Sequence, residues 1–214
     1  MAEFLYYVSE KDKYGRSPLS YAAGSGHAKT VARLTEGADI DEANHYRRSA
    51  LSYAAEEGHI NTVLELTTVT KSQVRASLGG MWFVVIHLIE GARVDEKETG
   101  GETPLTYAAK AGHIGTIARL IGKGANAVEK DTYGGKSLSF VAEEGHSEAV
   151  VSKQEGNIIE NDNIRKESFI VGENDNYRRS PLSHAVDHGH TKTVGCLIEG
   201  GATVREKDEL GRRK

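Results

Sequence analysis

Ser17-Pro18-Leu19-Ser20-Tyr21-Ala22-Ala23-Gly24-Ser25-Gly26-His27 is the stretch that sets the fold, because it returns. It comes back as Ser49-Ala50-Leu51-Ser52-Tyr53-Ala54-Ala55-Glu56-Glu57-Gly58-His59 and as Thr103-Pro104-Leu105-Thr106-Tyr107-Ala108-Ala109-Lys110-Ala111-Gly112-His113. A further copy is Ser180-Pro181-Leu182-Ser183-His184-Ala185-Val186-Asp187-His188-Gly189-His190. Each copy predicts a short helix with both ends marked. A Ser or Thr hydroxyl can accept a hydrogen bond from an unpaired amide of the first turn, and a proline at the next position lacks an N–H the helix could not have used. Gly26 can take the left-handed conformation that closes a helix. Leu19, Ala22 and Ala23 form a narrow apolar stripe whose alanines admit a neighbouring helix. The chain has 3 prolines, Pro18, Pro104 and Pro181, and all occupy this one position.

Gly26, Gly58, Gly112, Gly145 and Gly189 serve as a ruler. Gly26 to Gly58 is 32 residues and Gly112 to Gly145 is 33. The pattern Ser/Thr-Pro-Leu-x-x-Ala-Ala-x-x-Gly-His, followed by a Val/Leu-rich helix and Gly-Ala at this period, resembles the ankyrin repeat family. The resemblance implies an all-α solenoid of stacked helix-turn-helix units with β-turn fingers. One departure recurs: where the family has Thr-Pro-Leu-His, this chain has Ser20, Ser52, Thr106, Ser139 and Ser183, so the histidine-mediated network between repeats is expected to be altered.

Two intervals are irregular. Gly58 to Gly112 spans 54 residues. Counting back from Gly91-Ala92 predicts a diverged third repeat with Gly79 on its capping position, about twelve residues lost before it, and Met81-Trp82-Phe83-Val84-Val85-Ile86 in its buried second helix. Gly145 to Gly189 spans 44 residues, a surplus of 11 over one repeat, read as an extra finger near residues 162–173. The array is thus expected over residues 12–207, as 12–43, 44–69, 70–97, 98–130, 131–173 with the insertion, and 174–207. Residues 1–11 read as the tail of a partial repeat, since Val8-Ser9-Glu10-Lys11-Asp12 matches Val128-Glu129-Lys130-Asp131 in position. Residues 208–214 read as a truncated finger, so the chain looks like part of a longer array.

The composition suits such an array. Of 214 residues, 38% are apolar and 7% aromatic, thin for one large core but sufficient where neighbouring units complete each other. A formal net charge of −4 gives no reason to expect nucleic acid or an anionic membrane as the partner. The lone Cys196 excludes an intramolecular disulfide framework, and the N-terminus lacks the basic charge and apolar run of a secretory signal. A cytoplasmic or nuclear monomer is expected.

Mapped through the family resemblance, the partner-binding surface comprises finger positions and the exposed ends of the first helices. These are Lys13, Tyr14, Arg16, Gly24 and Ser25, then His45, Tyr46, Arg48, Glu56 and Glu57. Thr99, Glu102 and Lys110 follow, then Tyr133, Glu143 and Glu144, then Tyr177, Arg179, Asp187 and His188. Tyr14, Tyr46, Tyr133 and Tyr177 share one finger position, with Arg16, Arg48 and Arg179 two residues on. Tyr and Arg are frequent interface anchors, although the same ladder could merely brace adjacent fingers.

His184 and His188 stand four apart on one helix face, a spacing that can hold a metal, with His190 and Cys196 near in sequence. Each occupies a repeat slot, however, and five histidines simply follow the capping glycine, so no metal or cofactor is expected. Signatures of phosphate-binding loops, serine nucleophiles and zinc hydrolases are absent. The expected function is a non-enzymatic scaffold that binds another protein. The alternative is a regulatory or targeting fragment of a larger protein whose catalytic part lies elsewhere.

Overall fold

The structure is a computed structural model, and it describes residues 10–68, 92–151 and 174–202. Among these residues it forms ten helices and no strand, with one isolated bridge between Ala43 and Ser49. The helices come in five antiparallel pairs: α1 (Pro18–Gly24) with α2 (Ala28–Leu34), α3 (Ala50–Glu56) with α4 (Ile60–Thr67), α5 (Pro104–Lys110) with α6 (Ile114–Gly122), α7 (Ser137–Glu143) with α8 (Ser147–Val151), and α9 (Pro181–Asp187) with α10 (Thr191–Glu199).

The repeated motif explains each first helix. The hydroxyls of Ser17, Ser49, Thr103 and Ser180 accept the backbone N–H three residues on, at 3.2–3.4 Å. The hydroxyl that replaces the family's histidine sits against the cap: Ser17 Oγ and Ser20 Oγ are 3.3 Å apart, and Thr103 with Thr106 completes a capping box. In α7 the capping place is taken by Lys136, and no side chain caps that helix. Leu19, Leu51, Leu105, Leu138 and Leu182 are buried at one position, and Ala23, Ala55, Ala109 and Ala142 at another, so first helices pack closely from tier to tier. Val31, Val63, Leu66, Ile117, Leu120 and Leu197 fill the layer between the two helix rows.

The tiers meet in the order α1–α3–α5–α7–α9. The pair α3/α4 therefore packs directly on α5/α6, although Gly58 and Gly112 are 54 residues apart. The expected third repeat over residues 70–97 falls mostly outside the described residues. The Ala92 N–H closes onto Leu66 O at 2.9 Å, as Ala38, Ala125 and Ala202 close onto the second helices of their own tiers. The interval of 54 residues exceeds one repeat of 33 by 21. Residues 70–91, with Gly79 and the Trp82 segment, lie outside the described residues. So does the extra finger near residues 162–173, although α7 packs directly on α9 across it. The predicted terminal pieces, residues 1–9 and 208–214, are outside as well.

Histidines stitch the tiers together. His59, His113, His146 and His190 each place Nε2 2.8–3.1 Å from a carbonyl at the end of the preceding first helix, those of Gly24, Glu56, Lys110 and Glu143. A carbonyl only accepts, so Nε2 carries the proton. A histidine network does join the repeats. It uses the residue after the capping glycine, while the Ser and Thr at the family's other histidine position bond within their own helix turn.

Candidate partner-binding surface

Four of the five fingers are each built on one carboxylate or amide. Asp12 Oδ1 accepts the N–H groups of Tyr14 and Arg16, both at 2.8 Å. Asn44 does the same for Tyr46 and Arg48, Asp131 for Tyr133 and Gly135, and Asp175 for Tyr177 and Arg179. The turn closes through a residue with positive φ. Gly134 takes φ 79° in its finger, whereas Arg47 (63°) and Arg178 (57°) hold the same conformation with a side chain attached.

Successive finger tips are joined by their backbones. The N–H of His45 donates to Tyr14 O at 3.2 Å, Thr99 to Tyr46 O at 3.0 Å, Thr132 to Gly100 O at 3.2 Å and Asn176 to Tyr133 O at 3.0 Å. Along this row Tyr14, Tyr46, Tyr133 and Tyr177 are 44%, 60%, 63% and 51% exposed. Lys13 Nζ lies 4.9 Å from the Tyr14 ring centre. The third finger has no tyrosine: Gly100 stands there, and the preceding Thr99 places its hydroxyl on Tyr46 O at 2.9 Å.

The arginines of the ladder have a different fate. Arg16 Nε binds Asp12 Oδ2 at 2.9 Å, and its guanidinium lies 4.5 Å from the Tyr21 ring. Arg179 grips Asp175 Oδ2 through Nε and Nη2, each at 3.0 Å. Arg48 is inserted between the rings of Tyr53 and Tyr107, 4.2 Å from each, pairs with Glu56 and lies 3.8 Å from Glu98. These residues brace the fingers, and Arg48 fills the junction between two tiers. Burial opposes ionisation of Asp12, but the amides of Arg16 and Tyr14, the Tyr21 hydroxyl and the guanidinium outweigh it, so its pKa falls below the usual carboxylate range. Asp175 is likewise held down against burial, chiefly by the Arg179 N–H and guanidinium.

The helix ends differ from tier to tier. Ser25, Glu57, Glu144 and His188 are exposed, while Gly24, Glu56, Lys110 and Glu143 are half-buried. Lys110 pairs with Glu102 and lies 4.4 Å from the Phe140 ring, and Glu143 comes within 3.9 Å of His184 Nδ1. Asp187 is exposed at the end of α9. His184 itself is buried, with Nε2 3.2 Å from Asp175 Oδ2. Burial, then Arg179, lowers its pKa despite that carboxylate. His188 Nδ1 turns to His184 O at 3.0 Å, and the His188 and His190 rings stack at 6.1 Å. Among the described residues no group of three or more His, Cys, Asp or Glu side chains is arranged to hold a metal, and no helix is long and apolar enough to cross a membrane.

The finger residue the sequence did not single out is Glu98. It begins the third finger where the others have Asp or Asn, and its carboxyl faces Arg48, Tyr107 and Glu102. Burial, and next the neighbouring Glu102, push its pKa up to about 7. Its signal was the pair Glu98 and Glu102, four residues apart around Gly100-Gly101.

A family model for ankyrin repeats, described as three copies, matches residues 1–77 and again residues 74–152. The chain belongs to the ankyrin repeat family. The second match runs through residues 74–91, so that segment carries repeat-like sequence even though the tiers on either side meet directly. No curated protein matches the chain. Ankyrin repeats generally act as protein–protein interaction modules.

Proposed function

We propose that this ankyrin array is a non-enzymatic scaffold that holds another protein against its finger tips and first-helix ends. The observation that carries this reading is the row of four half-exposed tyrosines on fingers tied together by backbone hydrogen bonds. A rigid row of aromatic rings with polar tips binds at little entropic cost, because the turns already hold the backbone. The arginines support this surface from beneath, and Lys13, His45, Glu57, Glu144 and His188 supply its polar rim.

The test replaces Tyr14, Tyr46, Tyr133 and Tyr177 with Ala together and compares partner recovery from the native lysate with that of the wild type. Exposed rings contribute little to folding, so the far-UV circular dichroism and unfolding midpoint should hold. Interface tyrosines commonly contribute about tenfold or more each in affinity, so recovery should collapse. Equal recovery by a folded variant overturns the proposal.

A further inference from the structure

Every internal junction uses the same complementary parts. The incoming tier brings a histidine that seats on the capping glycine before it: a Cβ at Gly26, Gly58, Gly112 or Gly145 would meet the ring of His59, His113, His146 or His190 at 2.5–2.7 Å. It brings a Thr or Ala from the second helix, Thr62, Thr116, Ala149 or Thr193, each buried. It also brings a finger N–H that donates to the finger before, and an aromatic ring or histidine that covers the preceding helix end.

The first and last described tiers carry the two unmatched halves. In the first tier His27 and Thr30 are exposed and Tyr21 is 48% exposed, whereas Tyr107 in the same slot is 8% exposed. Among the described residues, no earlier finger receives the Lys13 N–H. In the last tier Gly189 is exposed, with nothing within 4 Å of the place its Cβ would occupy. Val186, at the position of the buried Ala23, Ala55, Ala109 and Ala142, is 44% exposed, and so is Ile198, whose counterpart Ile121 is buried.

We propose that these faces join head to tail, so that a second copy of this chain adds its first tier to the last tier of another. His27 would seat on Gly189, Tyr21 on the end of α9, and the Lys13 N–H on Tyr177 O. Charge agrees: Arg48 faces Glu98 across an internal junction, and the corresponding pair between copies is Arg179 with Asp12. The like-charge pair this creates, Lys29 with Lys192, stands at exposed positions where salt and water leave little repulsion. The contact is heterologous, because the two faces differ, so it leaves a fresh face at each end and builds open chains rather than a closed dimer. This departs from the monomer that the sequence alone suggests.

Sedimentation velocity of the full chain tests it. The weight-average mass should climb with concentration from the micromolar range upward and pass the dimer without a plateau. Val186→Lys with Ile198→Lys blocks one face and Thr30→Arg the other; all three positions are exposed, so circular dichroism should match the wild type. Each blocked protein should remain monomeric, and an equimolar mixture of the two should stop at a dimer. A wild type that stays monomeric throughout, as when other chain segments cover the faces, overturns the proposal. So does association that neither block removes, or a mixture that grows beyond a dimer. Replacing the finger tyrosines by Ala should leave the association intact, so the outcome does not depend on the partner-binding surface.

Discussion

Gly112→Ala and Gly189→Ala make the same chemical change in the same backbone conformation, φ 70° and 74°, with different surroundings. A left-handed alanine costs roughly 1–2 kcal/mol, of which roughly 0.5–1 kcal/mol returns because glycine loses more freedom on folding. That is the whole expectation for Gly189→Ala, about 1 kcal/mol, since its Cβ enters open space. At Gly112 the new Cβ would lie 2.5 Å from His146 Nδ1. The ring must withdraw, which breaks the 2.9 Å bond from Nε2 to Lys110 O and loosens the junction between α5/α6 and α7/α8. A lost hydrogen bond of about 1 kcal/mol and an overpacking penalty of about 1–3 kcal/mol then add to the backbone term. Gly112→Ala should therefore cost about 3–5 kcal/mol, some three to five times the cost of Gly189→Ala. Urea unfolding followed by circular dichroism, at protein concentrations low enough to keep the chain monomeric, measures both. Adding His146→Ala to each variant completes the comparison: the excess at Gly112 should largely disappear and the cost at Gly189 should not change. Equal costs for the two glycine variants would refute the interlock as a source of stability.

The strained arginines and the third finger yield two further expectations. Arg178→Gly should stabilise the chain by about 0.5–1 kcal/mol in the same unfolding assay, by relieving its left-handed backbone; Arg47→Gly should gain less, because it gives up the exposed pair with Glu96 at 3.2 Å. Glu98, with its pKa raised to about 7, keeps a proton in the folded chain that an unfolded glutamate has already lost. Stability from this site is therefore fully present below about pH 4.5, falls as the pH rises to about 7, and is flat above. The fall is at most about 3 kcal/mol, and Glu98→Gln should abolish it when unfolding midpoints are compared at about pH 5 and about pH 8.

The helices were legible because their signals are local and repeated. Ser17, Pro18 and Gly26 lie within ten residues, and four copies of that arrangement leave little room for another fold. The order of the tiers was not legible, because it depends on which surfaces meet across unequal stretches of chain. Counting from glycine to glycine treats sequence distance as stacking distance. The Ala92 N–H on Leu66 O shows that the two part company between Gly58 and Gly112. The surroundings of Arg48 were hidden for the same reason. Its repeat places it beside exposed Tyr46, but Tyr107 and Glu98, fifty or more residues away, close over it from the next tier.

Tyrosine and arginine two residues apart part company because of the turn between them. When Asp12 or Asp175 collects the amides of the second and fourth residues after it, the chain curls round the carboxylate. The arginine is carried back to the remaining carboxylate oxygen, and the tyrosine is left outside. The residue before Tyr46, Tyr133 and Tyr177 contributes its backbone N–H to the preceding finger, a demand that any residue but proline can meet. Lys13, His45, Thr132 and Asn176 occupy that position with four different chemistries. A constant row of tyrosines therefore supplies contact area, and these variable neighbours, standing beside it on the same fixed turns, are where discrimination between partners can be built without disturbing the stack.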